Sequence, residues 1–270
     1  MTNKLISLSG AAEMVQPGST LALGGMTLYR RPVAFVLELL RRPNPPRELT
    51  LLAFTSAYEG DLLVGAGLVR RVRSCYFGFE AFGLAPMFTQ AANLGDVEII
   101  EESEASLTFG LKATLADVGF MPGRGWIGTD LLRLRPDVRT VRDPYSGEEL
   151  AAFPAIHPDV AVLHALRADQ AGNAQLGRNL GVDQELALAT PTVIVTAEEV
   201  VDALDTADVV APVVTAVVHA PRGAWPTSCH PLYAVGGGEI LAYLDACGRE
   251  GFEEYLAQRL GTPVPARSAG

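Results

Sequence analysis

The residues best suited to chemistry crowd into one short stretch, LALGGMTLYRRPVAFV at 21–36. A strand-like apolar run ends at Gly24 and Gly25, and Pro32 opens an amphipathic run. Glycine lets the backbone take positive φ or pass close to a ligand. Met26 and Thr27 follow, and Thr27 and Tyr29 supply hydroxyls. Arg30 and Arg31 supply two planar donor groups matched to carboxylate or phosphate. Pro32 suits the first helical position, and the N–H groups there, with the helix dipole, favour an anion. This set could bind a carboxylate or a thioester carbonyl. The plainer alternative is an ordinary tight strand-to-helix turn with two solvated arginines. The spacing is neither GxGxxG nor a P-loop, so it gives no support to a nucleotide fold.

Other candidates also stand where strands end. Ser56 closes LTLLAFTS, and Phe77, Gly78, Phe79 and Glu80 close and follow VRSCY. Glu104, in EIIEESEASLTFG, sits where a strand gives way to a helix. A carboxylate there either complements the helix dipole, alongside Glu101 and Glu102, or acts as a base. Ser228, Cys229 and His230 form a polar loop beside Trp225 and Tyr233; chain neighbours point apart, so they are not a triad. His157, His164 and His219 read as structural. No His, Asp or Glu spacing argues for a metal.

These positions need a scaffold that gathers strand ends. Apolar runs at 20–25, 49–56, 72–79, 96–103, 159–165, 192–198 and 215–221 are mostly unbroken rather than alternating, as in strands covered on both faces. Helical stretches at 8–15, 31–42, 105–117, 181–189 and 238–260 lie between and after them, the last with a break near Gly248 to Gly251. The pattern predicts an α/β fold, an open, largely parallel sheet with helices on both faces. The Pro- and charge-rich segment 135–159 is an excursion or a hairpin, and the expectation is a single domain over 1–270. The tail TPVPARSAG reads as frayed.

Composition narrows the function classes. The chain has 270 residues, 49% hydrophobic, and a formal net charge of −10. Phosphate neutralisation needs a basic face, so general nucleic-acid binding is not expected. Cys75, Cys229 and Cys247 suggest neither a disulfide framework nor a CxxC site. No apolar run reaches a membrane span and the N-terminus lacks a proper signal peptide, so a reducing cytoplasm is expected.

GGMTLYRRP resembles the GGFxxxGxP signature of the α subunit of family I CoA-transferases, nearest the glutaconate CoA-transferase branch. PGSTLALGGMTLYRRPVAFVLELLRR, GAGLVRRVRSCYFGF, GFMP, DVAVLHALRADQAGNAQL, TVIVTAEEVV and AVVHAPRGAWPTSCHPLY fall in that family's order along most of the chain. Met26 replaces the signature Phe, and an arginine of the RRP run replaces its Gly. The resemblance implies a CoA-transferase/sugar-isomerase-like fold with a coenzyme A thioester as substrate and no tightly bound cofactor. It implies a glutamate nucleophile that forms a mixed anhydride and then a glutamyl thioester resolved by a second carboxylic acid. That glutamate belongs to a β-subunit motif of the SENG type, which this sequence does not contain. A separate β-type chain, a hetero-oligomer of αβ pairs and a site facing the Gly24–Arg31 loop are therefore expected.

By the same resemblance the Phe77–Glu80 loop lines the acyl pocket, and its apolar character (FGFEAFGLAP) suggests a larger or greasier acyl group. Ser56 could donate to a substrate carboxylate, and Ser228 and His230 could border the CoA channel or the β chain. The chain also resembles the α chain of a steroid-ring-opening CoA hydrolase, with Glu104 in an EGxL-like place, as base or nucleophile toward a cyclic β-keto thioester. A non-catalytic ligand-sensing module and a sugar-phosphate isomerase complete the alternatives.

Overall fold

The computed structural model describes residues 3–249 and 251–261; the tail TPVPARSAG lies outside them. The chain runs through α1 (Leu8–Ala12), β1 (Thr20–Leu23), α2 (Val33–Arg41), β2 (Leu49–Ser56), α3 (Tyr58–Gly65), β3 (Val69–Phe77), α4 (Pro86–Leu94), β4 (Glu98–Glu101) and α5 (Glu104–Leu115). It then passes through β5 (Phe120–Gly123), α6 (Leu131–Leu134), β6 (Arg139–Arg142) and β7 (Glu149–Pro154). It returns through β8 (Val160–Asp169), β9 (Ala174–Gln175), α7 (Asp183–Ala189), β10 (Thr192–Val201) and β11 (Ala216–His219) to α8 (Gly237–Gly248) and α9 (Phe252–Leu260).

The main sheet has the order β11-β10-β8-β1-β2-β3-β4, all parallel, with β9 added antiparallel on β8. Alternate side chains on each strand feed different cores, because successive residues face opposite sides of a sheet. Leu21, Leu23, Val160, Val162 and Ile194 join α1–α4, α8 and α9 on one face. Ala22, Ala161, Leu163, Val193 and Val195 join α5 and α7 on the other. Unbroken apolar strands are the sequence trace of that double burial.

The excursion is an antiparallel sheet of order β5-β7-β6 around Trp126, Val138, Ala151 and Phe153. Trp126 donates its ring N–H to Ser103 Oγ at 2.8 Å, which ties this small core to the start of α5. Chain direction supplies the feature that matters for function. Strands β1 to β4 build outward on one side of β1, and β8, β10 and β11 build outward on the other. At the β1/β8 boundary the loops diverge, leaving the crevice in which open α/β sheets bind ligands.

Candidate functional site

A cleft of about 450 Å³ opens at that boundary, on the carboxyl ends of the strands. The turn after β1 contributes Met26, Thr27, Leu28 and Tyr29. The segment after β3 contributes Glu80, Ala81 and Phe82, the segment after β9 contributes Asn179, and the β11–α8 loop contributes Ser228, His230, Ala234 and Val235.

The β1 turn is closed on itself. Met26 N–H donates to Tyr29 O at 2.9 Å and Tyr29 N–H to Met26 O at 2.7 Å. Thr27 N–H donates to Thr55 Oγ1 at 2.7 Å. Gly25 sits at φ +88, and its N–H donates to the Asp183 carboxylate at 2.9 and 3.2 Å. A Cβ on Gly24 would lie 2.4 Å from Leu163 Cδ2 and 2.6 Å from Asp183 Oδ1. Both glycines are needed where the chain approaches itself, and neither lines the cleft. Thr27 and Arg30 are held at φ 40 and 54, positions that residues with a Cβ occupy only when their surroundings over-determine them.

The two arginines correct the sequence expectation. Neither is available to a ligand, because both are fully buried. Arg30 pairs with Asp183 at 2.9 Å and donates to the carbonyls of His164 and Asn179 at 2.9 and 2.7 Å. Arg31 pairs with Glu59 at 2.7 Å and donates to Gly25 O at 2.8 Å. They bolt the turn to β8, α7 and α3. The start of α2 is no anion site either: Val33 N–H goes to Arg31 O and Ala34 N–H to Gly223 O, each at 2.8 Å.

Several other predicted positions also turn inward. Ser56 is buried and donates to Glu59 Oε1 at 3.1 Å. Phe77 stacks on Phe88 with centroids 4.2 Å apart, and buried Phe79 packs 5.8 Å from Tyr243. Gly78 bridges to Leu84. From the predicted Phe77–Glu80 loop only Glu80 reaches the cleft, so the apolar lining comes instead from Met26, Leu28, Phe82 and Val235.

Glu104 stands apart from the cleft, exposed in the first turn of α5 behind the Ser103 cap. Its neighbour Glu102 takes the cations of that region: Arg73 at 2.7 Å and Arg135 at 2.9 Å. Among the described residues Glu104 has no ion-pair partner.

The β11–α8 loop is zipped to the β1 turn. Ser228 N–H and Oγ both donate to Leu28 O, at 2.8 and 2.9 Å, and Arg30 N–H donates to Ser228 O at 2.7 Å. One carboxylate anchors the far side of the loop. Glu198 accepts Arg222 N–H at 2.6 Å and the Tyr233 hydroxyl, and lies 2.8 Å from His164 Nε2. Burial alone would push this carboxyl up, but hydrogen bonds from His164 and Tyr233 outweigh it and hold it below the usual range. Burial also lowers His164, which keeps its ring neutral. Cys229 brings its sulfur within 4.8 Å of these two groups, so the three could be viewed as metal ligands. Their bonding favours a hydrogen-bonded brace instead. Both His164 nitrogens are engaged, by Thr196 and Glu198, and burial pushes the Cys229 thiol up to about 12.

What remains free in the cleft is a small set of polar groups. The Asn179 amide, the His230 imidazole and the Thr27 hydroxyl have no strong hydrogen bond among the described residues. Such donors can meet a thioester carbonyl or the oxyanion formed from it. Asn179 is a lining residue that sequence reasoning missed, whereas Tyr29 lines the cleft as expected but its hydroxyl donates to His230 O at 3.3 Å. For Asn179 a signal was present: GRNLG follows a strand, and Gly177 and Gly181 take φ +102 and +55.

The family model described as Coenzyme A transferase matches residues 6–219. The chain is 36% identical over 238 residues to the A-type subunit of 3-oxoadipate CoA-transferase from Pseudomonas knackmussii, covering 85% of this chain and 83% of that one. It is 30% identical over 290 residues to the cholesterol ring-cleaving hydrolase IpdA subunit of Mycobacterium tuberculosis, covering 100% and 97%. An uncharacterised protein of Archaeoglobus fulgidus is 33% identical over 95% of this chain, which spans only 60% of that relative's length. A crystal structure of the decarboxylase AibA/AibB superposes with a TM-score of 0.88 at 30% identity, covering 96% of this chain and 100% of that one. The glutaconate coenzyme A-transferase structure from Acidaminococcus fermentans gives 0.82 at 26% identity, covering 98% and 96%.

Proposed function

Because the chain belongs to the coenzyme A transferase family, we propose that it is the α-type chain of an acyl-CoA:carboxylate CoA-transferase. A β-type chain would complete it in an αβ hetero-oligomer and bring the nucleophilic glutamate. The observation that carries this reading is the convergence of four strand-end segments on one cleft whose oxygen-directed donors are uncommitted. The exposed apolar side chains Leu84 and Leu232 lie on two of those same segments and would suit a covering partner. Two relatives are themselves named as single subunits of CoA-transferases, which supports a second chain as well.

In this reading the glutamate carboxylate attacks the acyl-CoA carbonyl and expels CoA thiolate, leaving an acyl-glutamyl anhydride. The thiolate then attacks the glutamyl carbonyl and releases the first carboxylate, so one difficult exchange becomes easier steps. An acceptor acid reverses the sequence. This chain's contribution is to fix the thioester between the β1 turn and the β11–α8 loop. Asn179, His230 and Thr27 would donate to the oxygen on which charge develops. Coenzyme A enters as substrate. The three cysteines are free thiols, in keeping with a reducing cytoplasmic setting, and no helix among the described residues is long and apolar enough to cross a membrane.

The test is co-expression with a β-type chain carrying the glutamate motif, followed by an assay of CoA exchange between an acyl-CoA and acetate. The complex should exchange and the α-type chain alone should not. Full exchange by the single chain would remove the two-chain reading.

A second reading rests on Glu104 being exposed and uncommitted at the same sheet edge, while Glu102 absorbs the local arginines. It could then activate water toward a cyclic acyl-CoA. Glu104→Gln decides between the two. A helix-dipole role predicts about 0.3–1 kcal/mol of stability lost and turnover kept. A base predicts a ~10²–10⁴-fold loss of turnover with the unfolding midpoint unmoved.

A further inference from the structure

We propose that Glu80 determines specificity in this cleft, and that the acyl groups taken here end in an uncharged, apolar tail. The inference rests on the CoA-thioester reading above and deepens it.

Glu80 is the charged side chain in the lining, among Met26, Leu28, Phe82 and Val235. It has no ion-pair partner among the described residues. The arginines that would compensate a second carboxylate, Arg30 and Arg31, are buried and already neutralised by Asp183 and Glu59. The backbone fixes where this side chain leaves the chain. Glu80 sits at φ 52, where glycine would be at ease and a residue with a Cβ is strained. Its N–H is held by the Tyr76 hydroxyl at 3.1 Å, and the turn is closed by Phe79 N–H to Gly83 O at 2.8 Å.

Topology gives the cleft a direction. Glu80 follows β3, two strands to one side of β1, and Asn179 follows β9, which pairs with the β1-facing edge of β8, its other edge being taken by β10. At about 4.8 Å per strand the two flanks lie on the order of 10 Å apart. The next residue to Asn179 is Arg178, exposed and without an ion-pair partner among the described residues. The polyanionic CoA portion is therefore drawn toward the Arg178 flank, and the acyl tail lies toward Glu80 and Phe82. A tail ending in carboxylate would meet a like charge there with no lining cation among the described residues, whereas a methyl end meets apolar surface.

The test uses the co-purified complex with its β-type chain and two thioesters of equal length, valeryl-CoA and glutaryl-CoA, with acetate as acceptor. The complex should favour valeryl-CoA by at least about tenfold in kcat/KM, given like charges a few ångströms apart at a partly exposed site. In Glu80→Gln the glutaryl-to-valeryl ratio should rise about tenfold, and Glu80→Gly, which the positive φ accommodates, should shift it the same way. Equal rates or a preference for glutaryl-CoA in the unaltered complex, or a ratio unmoved in both variants, overturns the proposal. Calorimetric binding of both thioesters to the same preparations separates the two readings. A binding preference for valeryl-CoA that Glu80→Gln abolishes, in a complex that exchanges nothing, sinks the transferase reading and sustains the role of Glu80.

Discussion

A guanidinium group with no water around it must have an anion. Arg31 and Glu59 are both fully buried at 2.7 Å, so removing one partner strands the other. Glu59→Ala should therefore lower stability by about 3–5 kcal/mol, read from denaturant unfolding; a loss under about 1 kcal/mol would show that Arg31 finds another partner. Gly25 makes a related case. A Cβ there would lie 2.6 Å from the carbonyl oxygens of Tyr29 and Arg30, at φ +88. Gly25→Ala should depress the thermal midpoint by an amount equivalent to at least about 1–2 kcal/mol, together with activity. The close approach that makes Gly25 irreplaceable is to the protein's own backbone, so a loss of activity with an unmoved thermal midpoint would count against this account. The residue types in GGMTLYRRP were legible as unusual; their burial was not, because Asp183 lies far along the chain, Glu59 lies within a wholly buried helix, and neither carries a mark of pairing.

Elements with strong local pattern were read correctly to within a few residues: β1, β2, α2, α5, α7 and the break between α8 and α9. Helix α3 escaped because every residue of YEGDLLVG is buried, and an all-round buried helix shows no polar face. Helix α4 had a signal that went unused, Pro86 at its start and Gly95 at φ +76 beyond its end. These two helices share a titrating joint. Asp61 of α3 accepts N–H groups of Met87 and Phe88, at 3.2 and 2.6 Å, and the Tyr243 hydroxyl of α8 at 2.6 Å. Burial raises its carboxyl from 3.8 to about 7. A raised folded-state value means that the folded chain holds the proton more tightly. This contribution is fully present below about pH 4 and is lost as pH rises through 7. Across that window stability should fall by an amount on the order of a few kcal/mol. Asp61→Asn should flatten the slope of unfolding free energy against pH; an unchanged slope would place the titration elsewhere.

At the scale of the whole molecule, the sheet grows outward in both directions from β1, and its two faces are closed by separate helical layers. The parallel sheet and its helices were anticipated from apolar runs and turns, since that pattern is repeated many times, and the candidate cleft lies at strand ends. The strand order was not, because register between distant strands leaves no local trace. The same order has a consequence for synthesis. Strand β1 pairs early with β2, but its other neighbour, β8, begins far downstream: Thr20 N–H bonds Asp159, 139 residues on. At about 5–20 residues per second, a ribosome needs roughly 7–28 s to make the intervening chain. Throughout that interval the central strand of the nascent protein has one open edge, and Arg30 has no Asp183. A ribosome-stalled chain ending before residue 160 should accordingly be digested quickly by protease and bind chaperones, whereas one extended past α7 should resist both.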